Sequence, residues 1–463
     1  MIKVYPINAL LIVLISLCIS SVVFTKEYVA SSFGIIGSTE EHPLDISKAF
    51  SDLAARISPG DRIIFDQTNY YGNLESTKPL ELDFRGATIH PYDLEKAVIL
   101  FRENLLTPYL VARNSSYGDT FFTVNSADNR GIDAGSFGVL YDGSARPSDG
   151  QRVNYELVRV RKRSGQNVYV EDMLRSDQIG SNIRFYPVDL IDSPKVLNCI
   201  IEGHSGYSRP CLWFYGCKNT VVKNVQVNSS VGHAIRHEFV HNWRAENIEV
   251  REPASTKSGA GYGLTALRSR DGLGANIRGH GCRHIVDFSS SYNCHVQNVV
   301  ESYTERSGCV VLAHNGFGGN NSVDGLRCTV DGYAVYVSAQ GISPSQRAKR
   351  LLRDCRVENI HHIVPNKSPS LYNATCHFGI NIDGLIVRNL NLQYSASRSI
   401  LPKRNYLVRI DGDAQAVSIR DLFSTPVRSA VWVTPRTIPP RISLHTNSFF
   451  TSKSPSFLVD RLP

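Results

Sequence analysis

The sequence predicts an all-β chain wound as a parallel β-helix, and three observations carry that prediction. First, a short apolar strand and a polar turn recur around an asparagine: Lys223-Asn224-Val225-Gln226-Val227, Glu246-Asn247-Ile248-Glu249-Val250, Ala275-Asn276-Ile277-Arg278 and Gln297-Asn298-Val299-Val300, with Asp324-Gly325-Leu326-Arg327 as a looser fifth copy. The four asparagines are 23, 29 and 22 residues apart, too short for a βαβ unit of about 30 residues and suited to one turn of a solenoid. Second, two methionines, 34 glycines and many short runs of Val and Ile favour strands. Third, the best helical pattern is Leu44 to Ile57, where Ile46, Ala49, Phe50, Leu53 and Ile57 share one face.

Each element then has a place. A coil of this size cannot bury its apolar face alone, so coils stack, and their outer side chains form rows about 4.8 Å apart. Such a wall suits a long polymer. The helix and the strands around it occupy residues 33–105, before the regular coils. Residues 106–190 break the rhythm. Phe121 to Val124, Val153 to Val160 and Asn167 to Val170, with turns at Ser148-Asp149-Gly150 and Ser164-Gly165-Gln166, predict a small antiparallel β insertion. The main stack is expected over 191–435, followed by a Pro-, Ser- and Thr-rich tail over 436–463.

Residues 1–25 carry an almost unbroken apolar run from Ala9 to Phe24, preceded by a lysine and followed by Thr25, Lys26 and Glu27. Sixteen residues are short for a bilayer span and typical of a secretory leader, so a signal peptide is expected, with an uncleaved membrane anchor as the alternative. Nine cysteines follow the leader without any CxxC pair, which argues against a zinc site and for small apolar residues stacked in the core. The net charge of +8 without a nucleic-acid-binding motif gives no reason to expect nucleic acid as a partner.

Between Phe33 and Pro91 the chain shows Phe33-Gly34-Ile35, the helix start at Asp45, Pro59-Gly60-Asp61 turning into the Arg62 to Phe65 strand, and Gly86-Ala87-Thr88-Ile89. Here it resembles the pectate-lyase-like superfamily, which includes phage tailspikes and polysaccharide depolymerases. It departs from that pattern at Gly37-Ser38-Thr39 and Gln67-Thr68-Asn69-Tyr70. The resemblance implies a right-handed parallel β-helix with an N-terminal capping helix. It also implies a secreted, cell-surface or virion-tail protein that binds and cleaves a polysaccharide, with a homotrimer as one possible assembly. A non-catalytic glycan-binding adhesin and a structural phage-tail or appendage component are the alternatives.

Ionisable groups are densest from His233 to Asn315: His233, Arg236, His237, Glu238 and His241, then Arg268, Arg270 and Asp271, then His280, Arg283, His284 and Asp287, then Glu301, Tyr303, Glu305 and His314. Mixed acids and bases are the raw material of proton transfer. Aligning Ile235, Leu264, Ile285 and Val310 as successive inward residues places His237 and Asp287 in one column, and Arg236 in the next. A glycoside hydrolase would draw its two carboxylates from Glu238, Asp271, Asp287, Glu301 and Glu305. A lyase would take a base from His237, His284 or Tyr303, a cation from Arg236 or Arg283, and Ca2+ in place of that cation if it uses one. The expected catalytic set is His237, His284, Asp287, Arg283 and Arg236. Substrate would touch His233, Glu238, Arg268, Asp271, Tyr303 and His314. No resident metal and no other cofactor are expected. Gly272-Leu273-Gly274 is read as a tight turn.

Overall fold

The protein, seen as a computed structural model, is described over residues 25–459 except for internal segments, chiefly 126–131, 143–154, 175–182, 338–350, 366–371, 395–403 and 446–456. The leader and the Ser148 turn lie outside the described residues. Among the described residues no helix is long and apolar enough to cross a membrane.

The chain forms a right-handed parallel β-helix. On one wall Leu212–Tyr215, His233–Glu238, Tyr262–Leu267, the start of His284–Thr304, Val310–Gly319, Val335–Val337, Tyr372–Phe378, Arg404–Ile410 and Ser429–Val433 pair in parallel, each with the next coil. Parallel pairing runs past residue 435, since Ile442–His445 pairs with Ala414–Ser424 and Phe457–Val459 with Ser429–Val433.

The recurrent asparagines set a corner of each coil. Asn198, Asn224, Asn247, Asn276 and Asn298 all adopt left-handed backbone conformations with φ of 53 to 55°, which asparagine tolerates better than a β-branched residue. The Asn198 amide donates to Asp83, and from Asn224 onward each side-chain amide donates to the carbonyl oxygen of the asparagine one coil earlier, at 2.8, 2.8, 3.0 and 3.2 Å up the stack. As the spacing predicts, Ile248, Ile277 and Val299 pair on successive coils and are buried. At the neighbouring corner two shorter runs are hydrogen-bonded, Asp192 with Asn219 and Asn242, and Asp271 with Asn293 and Asn320, the second forming the ladder rungs after the first.

The nine cysteines are free and buried, several of them stacked along the core. Gly272 is not a turn residue. It lies inside the Arg270–His280 strand, where a Cβ would come within 1.8 Å of the Trp243 ring. Its missing side chain makes room for the indole of the preceding coil.

The helix Ser47–Arg56 closes the first coils, burying Phe50, Leu53 and Ala54 together with Ile46 and Ile57 at its ends. Asp45 accepts from the Ser47 amide at 2.9 Å, replacing one backbone partner missing at the helix start. The insertion is a six-stranded antiparallel sheet running from Tyr109–Leu110 to Ile183–Val188. It is tied to the stack by the buried Arg270, which donates to Asp172 at 2.6 Å and to the Leu157 carbonyl at 3.2 Å. Phe239 of the stack packs with Phe137, Val139 and Tyr186 of the insertion.

Candidate functional site

The wall described above presents one outward row along the stack. Register pairing runs Trp213, Arg236, Thr265, Asp287, Val311, Tyr336, His377, Arg409 and Trp432. This corrects the expected columns. Leu264 pairs with Val286 rather than Ile285, so Asp287 belongs to the row of Arg236 and Thr265, whereas His237 pairs with Ala266 on the core side.

His237 cannot meet a polymer. It has no exposed surface, stacks between Phe214 at 5.2 Å and Trp243 at 4.9 Å, and neither ring nitrogen has a hydrogen-bond partner. Burial pushes its pKa down to about 3, so it is a neutral core residue.

Arg236, Glu238 and Arg268 form a buried network instead of a free cation and acid. Arg236 and Arg268 each approach Glu238 at 2.8 Å. Arg236 also lies over the Trp213 ring at 5.1 Å and Arg268 over Phe239 at 5.4 Å. Asp271 is a rung of the second corner ladder, held by Asn293, His241 and Arg270. Although burial opposes the charged form, its hydrogen bond to His241 and the Arg270 charge keep the carboxyl well below the usual range. Glu301 is buried and accepts the Gly281 amide at 2.9 Å. Tyr303 belongs to the strand His284–Thr304, but its side chain lies outside the described residues, as does Glu305.

The remaining candidates converge. Asp287 is 2% exposed and its Oδ2 accepts from His314 Nδ1 at 2.6 Å, while Oδ1 is buried with no hydrogen-bond partner. A slip in pairing makes this contact: Asp287 faces Val311, yet Ser289 faces His314, so the later strand holds one extra residue. His284 donates from Nδ1 to the Gly308 carbonyl at 2.5 Å, because a carbonyl only accepts. Its ring lies 5.9 Å from that of His314. His233 contacts Thr265 Oγ1 at 2.9 Å and stacks on Tyr262 at 4.7 Å, and Arg283 lies over the same Tyr262 ring, 5.8 Å from its centroid.

Burial pushes His284 down to about 4. For Asp287 burial works in the opposite sense, raising the pKa, but the charges and hydrogen bond of its histidine neighbours outweigh it and hold the carboxyl below its ordinary value. The cluster therefore offers an anionic carboxylate beside imidazoles. A Ca2+ ion, which takes 6–8 oxygen ligands, does not fit a set of one carboxylate and two imidazoles.

Farther along the wall lies a group that the density of charge in the sequence does not single out. Tyr333 and Tyr336 stack at 5.2 Å, His377 contacts both rings and donates from Nε2 to Asp411 at 3.0 Å, and Arg409 grips Asp411 at 2.7 Å. Trp432 follows, packed 5.1 Å from Tyr406. The signal available in the sequence was the aromatic residue at the same strand position in separate coils.

No family model and no curated protein matches the chain. Solved structures do. The chain is similar to the tailspike of Pseudomonas phage phi297, at 12% identity and a TM-score of 0.55 over 94% of this chain and 82% of that one. The fold is the tailspike fold. A tailspike of Acinetobacter baumannii phage AP22, in complex with a capsular saccharide of its host, matches at 14% identity and a TM-score of 0.54 over 94% and 77% of the two chains. A mutant tailspike of E. coli phage HK620, in complex with a hexasaccharide, matches at 11% identity and 0.53 over 92% and 66%.

Proposed function

We propose that this chain is an extracellular or virion-borne protein that binds a polysaccharide along the wall from Trp213 to Trp432 and cleaves it at the Asp287 cluster. The observation that carries the reading is the carboxylate of Asp287, buried in the outward row with one oxygen on His314 and the other without a partner. Aromatic rings and ion-paired side chains extend on both sides of it at strand spacing, as a chain of sugar rings with alternating apolar faces and hydroxyls requires. The saccharide-bound tailspikes of the same fold support this choice of ligand.

At the cluster, Asp287 fixes the orientation of His314, and a hydrogen bond from Nδ1 to the carboxylate leaves Nε2 as proton acceptor. Arg283, beside Tyr262, would face a carboxylate-bearing sugar. A two-carboxylate hydrolase is less well supported, because Glu238 is held by two arginines and Glu301 by a backbone amide, leaving Asp287 without a suitable acidic partner among the described residues. Lyase chemistry on an acidic polysaccharide is the reading favoured here. Incubation with a panel of capsular, O-antigen and uronate polysaccharides tests it, read by ultraviolet absorbance of an unsaturated product and by reducing ends. Unsaturated product supports the lyase, reducing ends alone support hydrolysis, and binding without either supports an adhesin.

A further inference from the structure

We infer that His284, Asp287 and His314 form a binding site for a divalent transition-metal ion of the zinc class. One ligating atom from each residue lies within 4.8 Å of one from each of the others. Two imidazoles with one carboxylate are a donor set that zinc and its neighbours accept while keeping a position open for water or substrate.

Two further observations point to a cation. Asp287 Oδ1 is buried and has no hydrogen-bond partner, a costly state for an anionic oxygen that a bound cation would relieve. His284 is already oriented as a ligand: its Nδ1–H is committed to the Gly308 carbonyl, so its Nε2 carries the lone pair. A backbone carbonyl on the far nitrogen is the usual support behind a metal-bound histidine.

In the ion-free state a proton lies between His314 Nδ1 and Asp287 Oδ2, 2.6 Å apart. Ion binding replaces it. His314 shifts its proton to Nε2 and donates the Nδ1 lone pair, Asp287 supplies Oδ1, no atom is oxidised or reduced, and the two ligand atoms settle about 3.3 Å apart, as tetrahedral bonds of ~2.0 to 2.1 Å require. His233, Tyr262, Thr265 and Arg283 surround the three residues. The Arg283 charge and the neutral donors favour a site with one carboxylate over a highly anionic cage.

The inference places an ion at the reactive centre of the proposed function, where ion-bound His314, protonated on Nε2, no longer acts as base; ion binding is read without any sugar, so either reading can fail alone. The full chain, stripped with EDTA and dialysed, is titrated with ZnCl2 by calorimetry, with CaCl2 and MgCl2 as comparison arms. Saturation at about one zinc per chain is expected, with weak or no heat from calcium and magnesium. The zinc isotherm should be lost in Asp287→Asn and in His314→Gln. His314 is at the edge of the cluster with its side chain 21% exposed, so that variant tests the site even if a substitution at Asp287 disturbs folding. Circular dichroism matching wild type confirms that each variant is folded. Absence of saturable zinc binding in the wild type, preference for calcium, or undiminished binding by folded His314→Gln overturns the inference.

Discussion

Asp287 and His314 lie 27 residues apart and meet at 2.6 Å because one extra residue between Val311 and His314 brings the imidazole back over the carboxylate of the preceding coil. A regular ladder would leave Asp287 facing Val311 and nothing else. The bulge costs regular pairing and produces the contact on which the proposed chemistry depends.

His237→Phe should raise stability by about 1 kcal/mol, since both imidazole nitrogens are buried without partners between two aromatic rings. Urea denaturation measures it. Polysaccharide turnover by this variant should equal that of wild type, in contrast to the base role that its sequence neighbourhood predicts for His237.

Acid should weaken the fold before any carboxylate titrates. His237 and His362 are buried, and desolvation lowers their pKa values from 6.5 to about 3 and about 4. As pH falls from 6.5 the unfolded chain takes up a proton on each, while the native chain does not. Stability is therefore complete above about pH 6.5 and is lost as pH falls towards 4, at ~1.4 kcal/mol per pKa unit for each group. Urea midpoints at pH 7.5, 6 and 5 should decline, and His237→Phe should flatten part of that slope.

Asn247→Ala should destabilise the protein by about 1 to 2 kcal/mol. It places a Cβ residue without a polar side chain at φ 55° and cuts the amide ladder on both sides, to Asn224 and from Asn276. Asn247→Gly, which removes the ladder but accepts the backbone, should lose less. Equal losses would show that the ladder alone carries the effect.

Removing aromatic surface on either side of the Asp287 cluster should weaken polymer binding without abolishing cleavage. Trp213→Ala and Tyr336→Ala are each expected to lower the affinity for a long oligosaccharide by about 5- to 30-fold, corresponding to ~1 to 2 kcal/mol for a lost aromatic platform. A short oligosaccharide spanning only the Asp287 cluster should be affected less.

The coil repeat was legible because asparagine suits the left-handed corner, and that constraint recurs in the sequence at Asn224, Asn247, Asn276 and Asn298. The capping helix was legible from one apolar face. The site was only half legible. His284, Asp287 and His314 fall in the span of densest charge, but their meeting depends on register. Ile285 and Val286 are both fully buried, so apolar character could not decide which continues the column of Ile235 and Leu264. A shift of one residue moves Asp287 from the core-side column of His237 to the outward row of Arg236 and Thr265. The extra residue before His314 has no signature of its own, and the rings of Tyr336, His377 and Trp432 read as a group only once their strands are aligned coil by coil.

The most direct test of the central claim compares wild type with Asp287→Asn on a polysaccharide that the wild type degrades. The isosteric amide keeps the shape of the row and removes the charge that orients His314. Binding of the intact polymer within about threefold of wild type and a loss of turnover of about 100-fold or more are predicted, with thermal unfolding nearly unchanged. Full turnover by a folded Asp287→Asn protein would contradict the account.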